Sequence, residues 1–236
     1  MCGRYATTRS AGDLSGLFEA VDETDGRLVA DHNVAPTDPV PLVRVSSAGH
    51  RALSLGRWGL VPAWSRSPAG AARMINARVE TVATSRAYAS AFARRRCLIP
   101  ADGWYEWVRR PGEPKQPYYL TRWDGSVLAF AGIWSVWDGP SGPLLTCSVL
   151  TTTALGELAE VHDRMPLLLP PQRWADWLGA ADDPAGLLAP APLDWLAGLE
   201  IRPVGPAVGD VRNDGPQLTA RVSPARSTAP EDMTLF

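Results

Sequence analysis

Apolar positions along the chain divide it into short segments of two kinds. In AGDLSGLFEAV (11–21), Leu14, Leu17, Phe18 and Val21 share one helical face, and Ser10 stands where a cap belongs. DHNVAPTDP reads as a loop. Residues 39–46 and 50–61 alternate and carry β-branched side chains, so they predict strands. SRSPAGAAR (65–73) is loop-like. ETVATSRAYASAFARR (80–95) predicts a helix with Val82, Tyr88, Ala89 and Phe92 inward.

Four β-rich runs follow at 97–108, 117–122, 127–137 and 143–152, separated by PGEPKQ, WDGS and DGPSGP, which suits antiparallel hairpins. Helical stretches follow at 154–160 and 171–179, with a weaker one at 184–188. The rest is Pro-rich and irregular. Residues 2–221 read as one domain and 222–236 as a loose tail. Strands in hairpins with helices interspersed, and no βαβ alternation, predict an α+β fold with a mostly antiparallel, barrel-like sheet core and flanking helices.

Composition narrows the function classes. With 236 residues, 45% hydrophobic and 20% charged, the chain can bury a real core. A net charge of -2 gives no global nucleic-acid signature, so DNA binding would need a local patch. Basicity is nearly all arginine, with Lys115 the one lysine; a GC-rich genome accounts for most of that bias, yet arginine's fork also suits phosphate. Ten tryptophans exceed expectation, and exposed ones could stack on bases. Three scattered cysteines argue against a disulfide scaffold and for a reducing cytosol, with Cys97 and Cys147 read as buried packing residues. No signal region or membrane span reads from the pattern, so the expectation is a cytoplasmic protein. The cysteines and His32, His50 and His162 lack ligand spacing; no metal or other cofactor is expected.

Candidate chemistry lies in short polar clusters within apolar surroundings. MINARVET holds Asn76, Arg78 and Glu80; IPADGWYEW holds Asp102 and Glu106; EVHDRMP holds His162, Asp163 and Arg164. Singly, each has an ordinary explanation. Asn76 could cap the next helix, Glu106 could face solvent in the strand alternation, and His162 could be a satisfied core histidine. Cys2 directly follows the initiator methionine, which is removable before a small residue. Removal would put an α-amine and a thiol on one residue.

Taken together, CGRY (2–5), NVAP (33–36), WGLVPAW (58–64), INARVET (75–81), ADGWYEW (101–107), HDRMP (162–166) and VGDVRN (208–213) resemble, in order, the SRAP-domain family of abasic-site-processing proteins, also described as SOS-response-associated peptidases. The resemblance spans roughly residues 2 to 215. It implies recognition of abasic sites in single-stranded DNA and a thiazolidine linkage through Cys2 after Met1 removal, shielding the lesion. It implies Cys2, Asn76, Glu106 and His162 as the active site. It implies DNA contacts from Arg4, Arg78, Arg86 and Arg164, with Trp64 near displaced bases and Thr151 in the same set. Ser65 and Met165 depart from the family pattern, where a second Trp and a second Arg can stand. The implied protein is a monomer without membrane attachment, nucleoid-associated when DNA-bound.

The chemistry suits these residues. An α-amine titrates well below a lysine, so at neutral pH it is uncharged roughly several-hundred-fold more often. Its Schiff base with an aldehyde presents a carbon that the Cys2 thiol can attack, closing a five-membered ring. Glu106 fits general acid/base work, His162 protonation of the departing sugar oxygen, and Asn76 a neutral hold on amine or hydroxyl. Two other readings stand beside this one. Cys2, His162 and Asn76 could serve a cysteine peptidase, best as self-processing that removes Met1. A non-catalytic nucleic-acid-binding module would need the arginines and tryptophans but not Cys2.

Overall fold

The computed structural model describes residues 2–179 and 184–223. Among them the chain runs β1 (Tyr5–Thr7), α1 (Ala11–Phe18), β2 (Val21–Asp22), β3 (Asp31–Val34), β4 (Pro39–Val45), β5 (Arg51–Trp58), β6 (Asn76–Arg78), α2 (Ala89–Arg94), β7 (Arg96–Ala101) and β8 (Gly103–Val108). It continues with β9 (Gln116–Arg122), β10 (Leu128–Gly139), β11 (Gly142–Thr153), β12 (Arg164–Pro166), α3 (Trp174–Leu178), α4 (Leu193–Leu196) and β13 (Leu199–Pro203).

Strands β11, β10, β7, β4 and β5 pair in that order, and β5 returns to β11 in parallel at Arg57–Thr146 and Trp58–Cys147. This closes a five-stranded barrel and removes its open edges. The other pairings within the ring are antiparallel. Strands β6 and β12 extend β11, and β2 extends β5. A second, antiparallel sheet has the order β13-β9-β8-β1-β3. The α+β fold with a mostly antiparallel barrel is as expected.

One core cluster joins the barrel interior to the second sheet and includes Cys2, Trp58, Cys97, Trp104 and Cys147. Tyr5 meets Trp58 edge-on at 5.1 Å, an arrangement that the ring quadrupoles favour. Another cluster packs α1, α2 and α3 on the outer barrel wall through Phe18, Phe92, Trp174 and Trp177. Buried Arg96 ties this layer together: its guanidinium donates to Trp177 O, Phe92 O, Ala93 O and Gly179 O, the carbonyl ends of α2 and α3.

Several expected boundaries move. The run 97–108 is two strands in two sheets. Asp102 makes the corner by accepting from the Thr8 amide (2.6 Å) and hydroxyl (2.8 Å) and from Arg9. Gly103 is required there, because a Cβ would collide with Leu120 O. Only 89–94 of the expected 80–95 helix is α-helical. Residues 79–88 form turns, where Thr81, Val82, Thr84 and Ser85 are poor helix formers and the Val79 amide is taken by Thr151 O.

Helix α1 has Ser10 as its cap, in a capping box with Asp13, but ends at Glu19 in the left-handed region, so Val21 lies exposed in β2. Helix 171–179 is a 3-10 turn plus α3, and 154–160 and 184–188 are 3-10 segments. DHNV is strand β3 rather than loop, the loop at 65–73 holds a 3-10 turn, and β13 lies in the stretch read as irregular. Cys97 and Cys147 are buried and free. Val222 donates to Pro203 O; the remainder of the expected tail, 224–236, lies outside the described residues.

Candidate active site around Cys2

Cys2 leads into β1 and is wholly buried, its Sγ 4.0 Å from Arg4 O. Asn76 does not cap a helix. It begins β6, level with Val149 of β11, and its Nδ2 donates to Cys2 O at 2.6 Å. Three bonds fix the backbone there: Trp58 Nε1 to Ile75 O, Ser148 Oγ to Met74 O and Tyr88 OH to Asn76 O, at 2.9–3.1 Å. Asn76 Oδ1 is buried without a hydrogen-bond partner, an acceptor left open beside Cys2.

Glu106 does not face solvent. It lies on β8, central in its sheet, and is 4% exposed. The β1–β8 register sets Tyr5 against Trp104 and joins the Tyr105 amide to Arg4 O, which brings Glu106 level with the start of the chain. Burial pushes its carboxyl up to about 7, and the Asp163 carboxylate acts in the same direction. Burial, and then the Glu106 charge, push the Cys2 thiol far above its ordinary range. Asp163 Oδ1 lies 2.7 Å from His162 Nδ1. Asn76 is thus joined to Cys2 by a hydrogen bond, while the Glu106 charge acts on Cys2 and the Asp163 charge on Glu106.

His162 is partly exposed, not a core residue. Its Nδ1 accepts the Arg164 amide at 2.9 Å. In the neutral ring that contact assigns the proton to Nε2. The Asp163 oxygen, 2.7 Å from the same nitrogen, is its partner whenever Nδ1 carries the proton. Burial lowers the His162 pKa while Asp163 opposes it.

Arg78, Glu80, His162, Asp163 and Arg164 line an open cleft of about 580 Å³. Arg78 is exposed. Arg164 is engaged with the protein: it meets Glu80 in a bidentate pair (2.6 and 3.0 Å) and donates to Thr151 O at 2.5 Å. The hydrogen bonds from Arg164 hold the Glu80 carboxyl below its usual range. Thr151 is fully buried beneath Arg164. Arg86 lies 4.8 Å over the ring of Trp64, which is 59% exposed. Arg4 is apart from this cleft; it bonds Asn33 Oδ1 (2.7 Å) and Val208 O (2.9 Å), while Asn33 holds Asp210 O and Asn213 O. That network joins CGRY, NVAP and VGDVRN.

Sequence reasoning left Glu80, Asp163 and Tyr88 without roles. The first two stand inside the quoted polar clusters, so pairing of opposite charges within them was the available signal. The spacing marked Tyr88 as an inward helical residue, and nothing in it points to the bond to Asn76 O. Among the described residues no group of three His, Cys, Asp or Glu is placed to hold a metal ion, and no helix is long and apolar enough to cross a membrane.

The chain is similar to proteins from distant organisms. Abasic site processing protein YedK of Escherichia coli (strain K12) is 34% identical over 234 residues, covering 92% of this chain and 98% of its own. Abasic site processing protein YoqW of Bacillus subtilis (strain 168) is 32% identical over 225 residues, with the same coverage. Abasic site processing protein HMCES of Xenopus tropicalis is 28% identical, covering 99% of this chain and 84% of its own. A crystal structure of a Bacteroides thetaiotaomicron protein superposes with a TM-score of 0.80 over 94% of this chain and 100% of that one; at 22% identity this shows the fold. One from Bordetella bronchiseptica gives 0.74 at 28% identity, over 86% and 100%. The family described as SOS response associated peptidase (SRAP) matches residues 1–211. The chain belongs to that family.

Proposed function

We propose that this protein processes abasic sites in single-stranded DNA, linking to the lesion's aldehyde through Cys2 once Met1 has been removed. The observation that carries the reading is the pairing of Cys2, held at its carbonyl by Asn76, with a buried carboxyl that titrates near 7. The relatives' shared name, abasic site processing protein, supports it.

The Cys2 amine adds to the aldehyde carbon and gives a carbinolamine. Glu106, still protonated in part at neutral pH, donates its proton to the departing hydroxyl, and water leaves. The iminium carbon is then open to the thiol. Burial keeps that thiol protonated, so its attack needs a base, and the Glu106 carboxylate produced in the previous step supplies one. The S–C bond forms, the S–H proton returns to Glu106, and the net change is loss of one water. Asn76 Oδ1, unfilled in the free protein, accepts from the amine or a sugar hydroxyl without adding charge. His162, with its proton on Nε2, serves ring opening of the deoxyribose. A cysteine peptidase needs a thiolate, and burial moves Cys2 away from one.

Exposed Arg78, and Arg86 stacked on Trp64, are suited to phosphates and unstacked bases. Arg164 would exchange Glu80 for a phosphate. Single-turnover cross-linking of Glu106→Gln tests the mechanism. The rate should fall by about 10²–10⁴-fold while strand affinity persists. An unchanged rate would remove Glu106 from the chemistry.

A further inference from the structure

A second cleft, of about 490 Å³, lies between the end of β4, the end of α2, the middle of β10 and the start of β11. Arg44, Ser46, Arg94, Arg95 and Trp134 line it, and among the described residues no carboxylate does. The Arg44 and Arg95 guanidiniums lie 5.3 and 5.6 Å from the ring centroid of Trp134. Arg44 is balanced by Glu23 at 2.9 Å, although its buried Nε has no hydrogen-bond partner. Arg94 and Arg95 make no side-chain hydrogen bond or ion pair among the described residues. Arginines elsewhere, such as Arg9, Arg51 and Arg202, meet carboxylates. Like charges gathered without a counter-ion repel one another, and the indole face offsets this only modestly. A phosphate would satisfy both, because the guanidinium fork matches its oxygens.

Helix α2 runs from beside Asn76 to this cleft. Tyr88, which bonds Asn76 O, immediately precedes that helix, and Arg95 immediately follows it. At 1.5 Å per residue this span is about 10 Å, which a few nucleotides of a strand cover. Arg78, Arg86, Arg94 and Arg95 thereby lie along one segment of chain. We propose that this cleft is a phosphate subsite for the strand whose lesion lies at Cys2, with Arg94 and Arg95 holding phosphodiesters beyond the abasic nucleotide. The inference rests on the single-stranded DNA part of the proposed function.

The test compares a strand of about 20 nucleotides with one so short that only about one nucleotide flanks the lesion on each side, each with one non-reactive abasic analogue, by equilibrium binding to wild type and to Arg94→Gln/Arg95→Gln. In wild type the long strand should bind about tenfold tighter than the short one, and in the variant that ratio should collapse. The slope of log affinity against log salt for the long strand should become shallower by about 0.7 for each phosphate no longer neutralised. Arg94→Lys/Arg95→Lys should retain most of the long-strand advantage. Arg94→Gln alone, at an exposed position, carries the test if the double variant does not fold. An unchanged ratio and slope would overturn the proposal. So would calorimetric binding of inorganic phosphate that the Gln variant abolishes with the strand ratio unmoved, since the cleft would then serve a small phosphate ligand. Cross-linking of a short reactive abasic strand by wild type reports on Cys2 separately: its failure, with the long-strand advantage intact, would count against the Cys2 chemistry and leave the subsite standing.

Discussion

Glu106 combines two properties that oppose each other. A carboxyl 4% exposed is costly to ionise, yet a pKa near 7 suits a group that must both give and take a proton at neutral pH. Its folded pKa is raised from 4.5 to about 7, so the folded state binds the extra proton. The associated stability is full below about pH 4.5 and is lost as pH rises through 7. Replacement by neutral Gln removes this loss. In urea titrations Glu106→Gln should match wild type near pH 4 and exceed it by about 3 kcal/mol at pH 8. Equal stability at both pH values would mean that the carboxyl is not held in its neutral form. The alternation of GWYEW pointed Glu106 outward, and its burial was illegible because a strand covered on both faces obeys no alternation. Asn76 shows the opposite case: the residue was identified, but its hydrogen bond to Cys2, 74 positions away, is set by strand pairing that no local pattern carries.

The elements position the site through a few non-local bonds. Strand β6 is three residues long and owes its place to β11, Trp58 and Tyr88. Arg164, at the start of β12, is held by Glu80. If Glu80 restrains a phosphate-binding arginine, Glu80→Gln should raise single-strand affinity severalfold, about 3–10-fold, by freeing Arg164 and removing a negative charge from the cleft. A fall in affinity would mean instead that Glu80 holds Arg164 in its binding pose. At the other side of the barrel, Arg96 caps α2 and α3. Arg96→Met leaves buried carbonyls unbonded and should lower unfolding stability by about 3 kcal/mol, measured by denaturant titration. The failed helix at 80–88 belongs to this scale: its apolar spacing is helical, but turn residues and the Val79–Thr151 bond hold the chain beside Asn76.

For the molecule as a whole, hairpin order was legible because β9, β10 and β11 are separated by turn signals. Barrel closure was not, since the β5–β11 contact joins Trp58 to Cys147 in parallel, two strands far apart in the sequence with five other strands between them. The split of 97–108 between two sheets was equally hidden, although it is what carries Glu106 from the barrel wall to the start of the chain. An acidic protein with a net charge of -2 can still hold a polyanion where arginines that meet no carboxylate among the described residues, Arg78, Arg86, Arg94 and Arg95, follow one another along the chain. All of the proposed chemistry depends on Cys2 becoming the reactive end of the chain. Intact-protein mass spectrometry reads this out, before and after incubation with a single-stranded oligonucleotide containing one abasic site. The expected spectra show a starting mass without Met1 and then an adduct equal to protein plus strand less one water, stable without reductant and absent in Cys2→Ala. A Met1-free protein that forms no adduct, or an equally stable adduct in Cys2→Ala, would refute that role for Cys2.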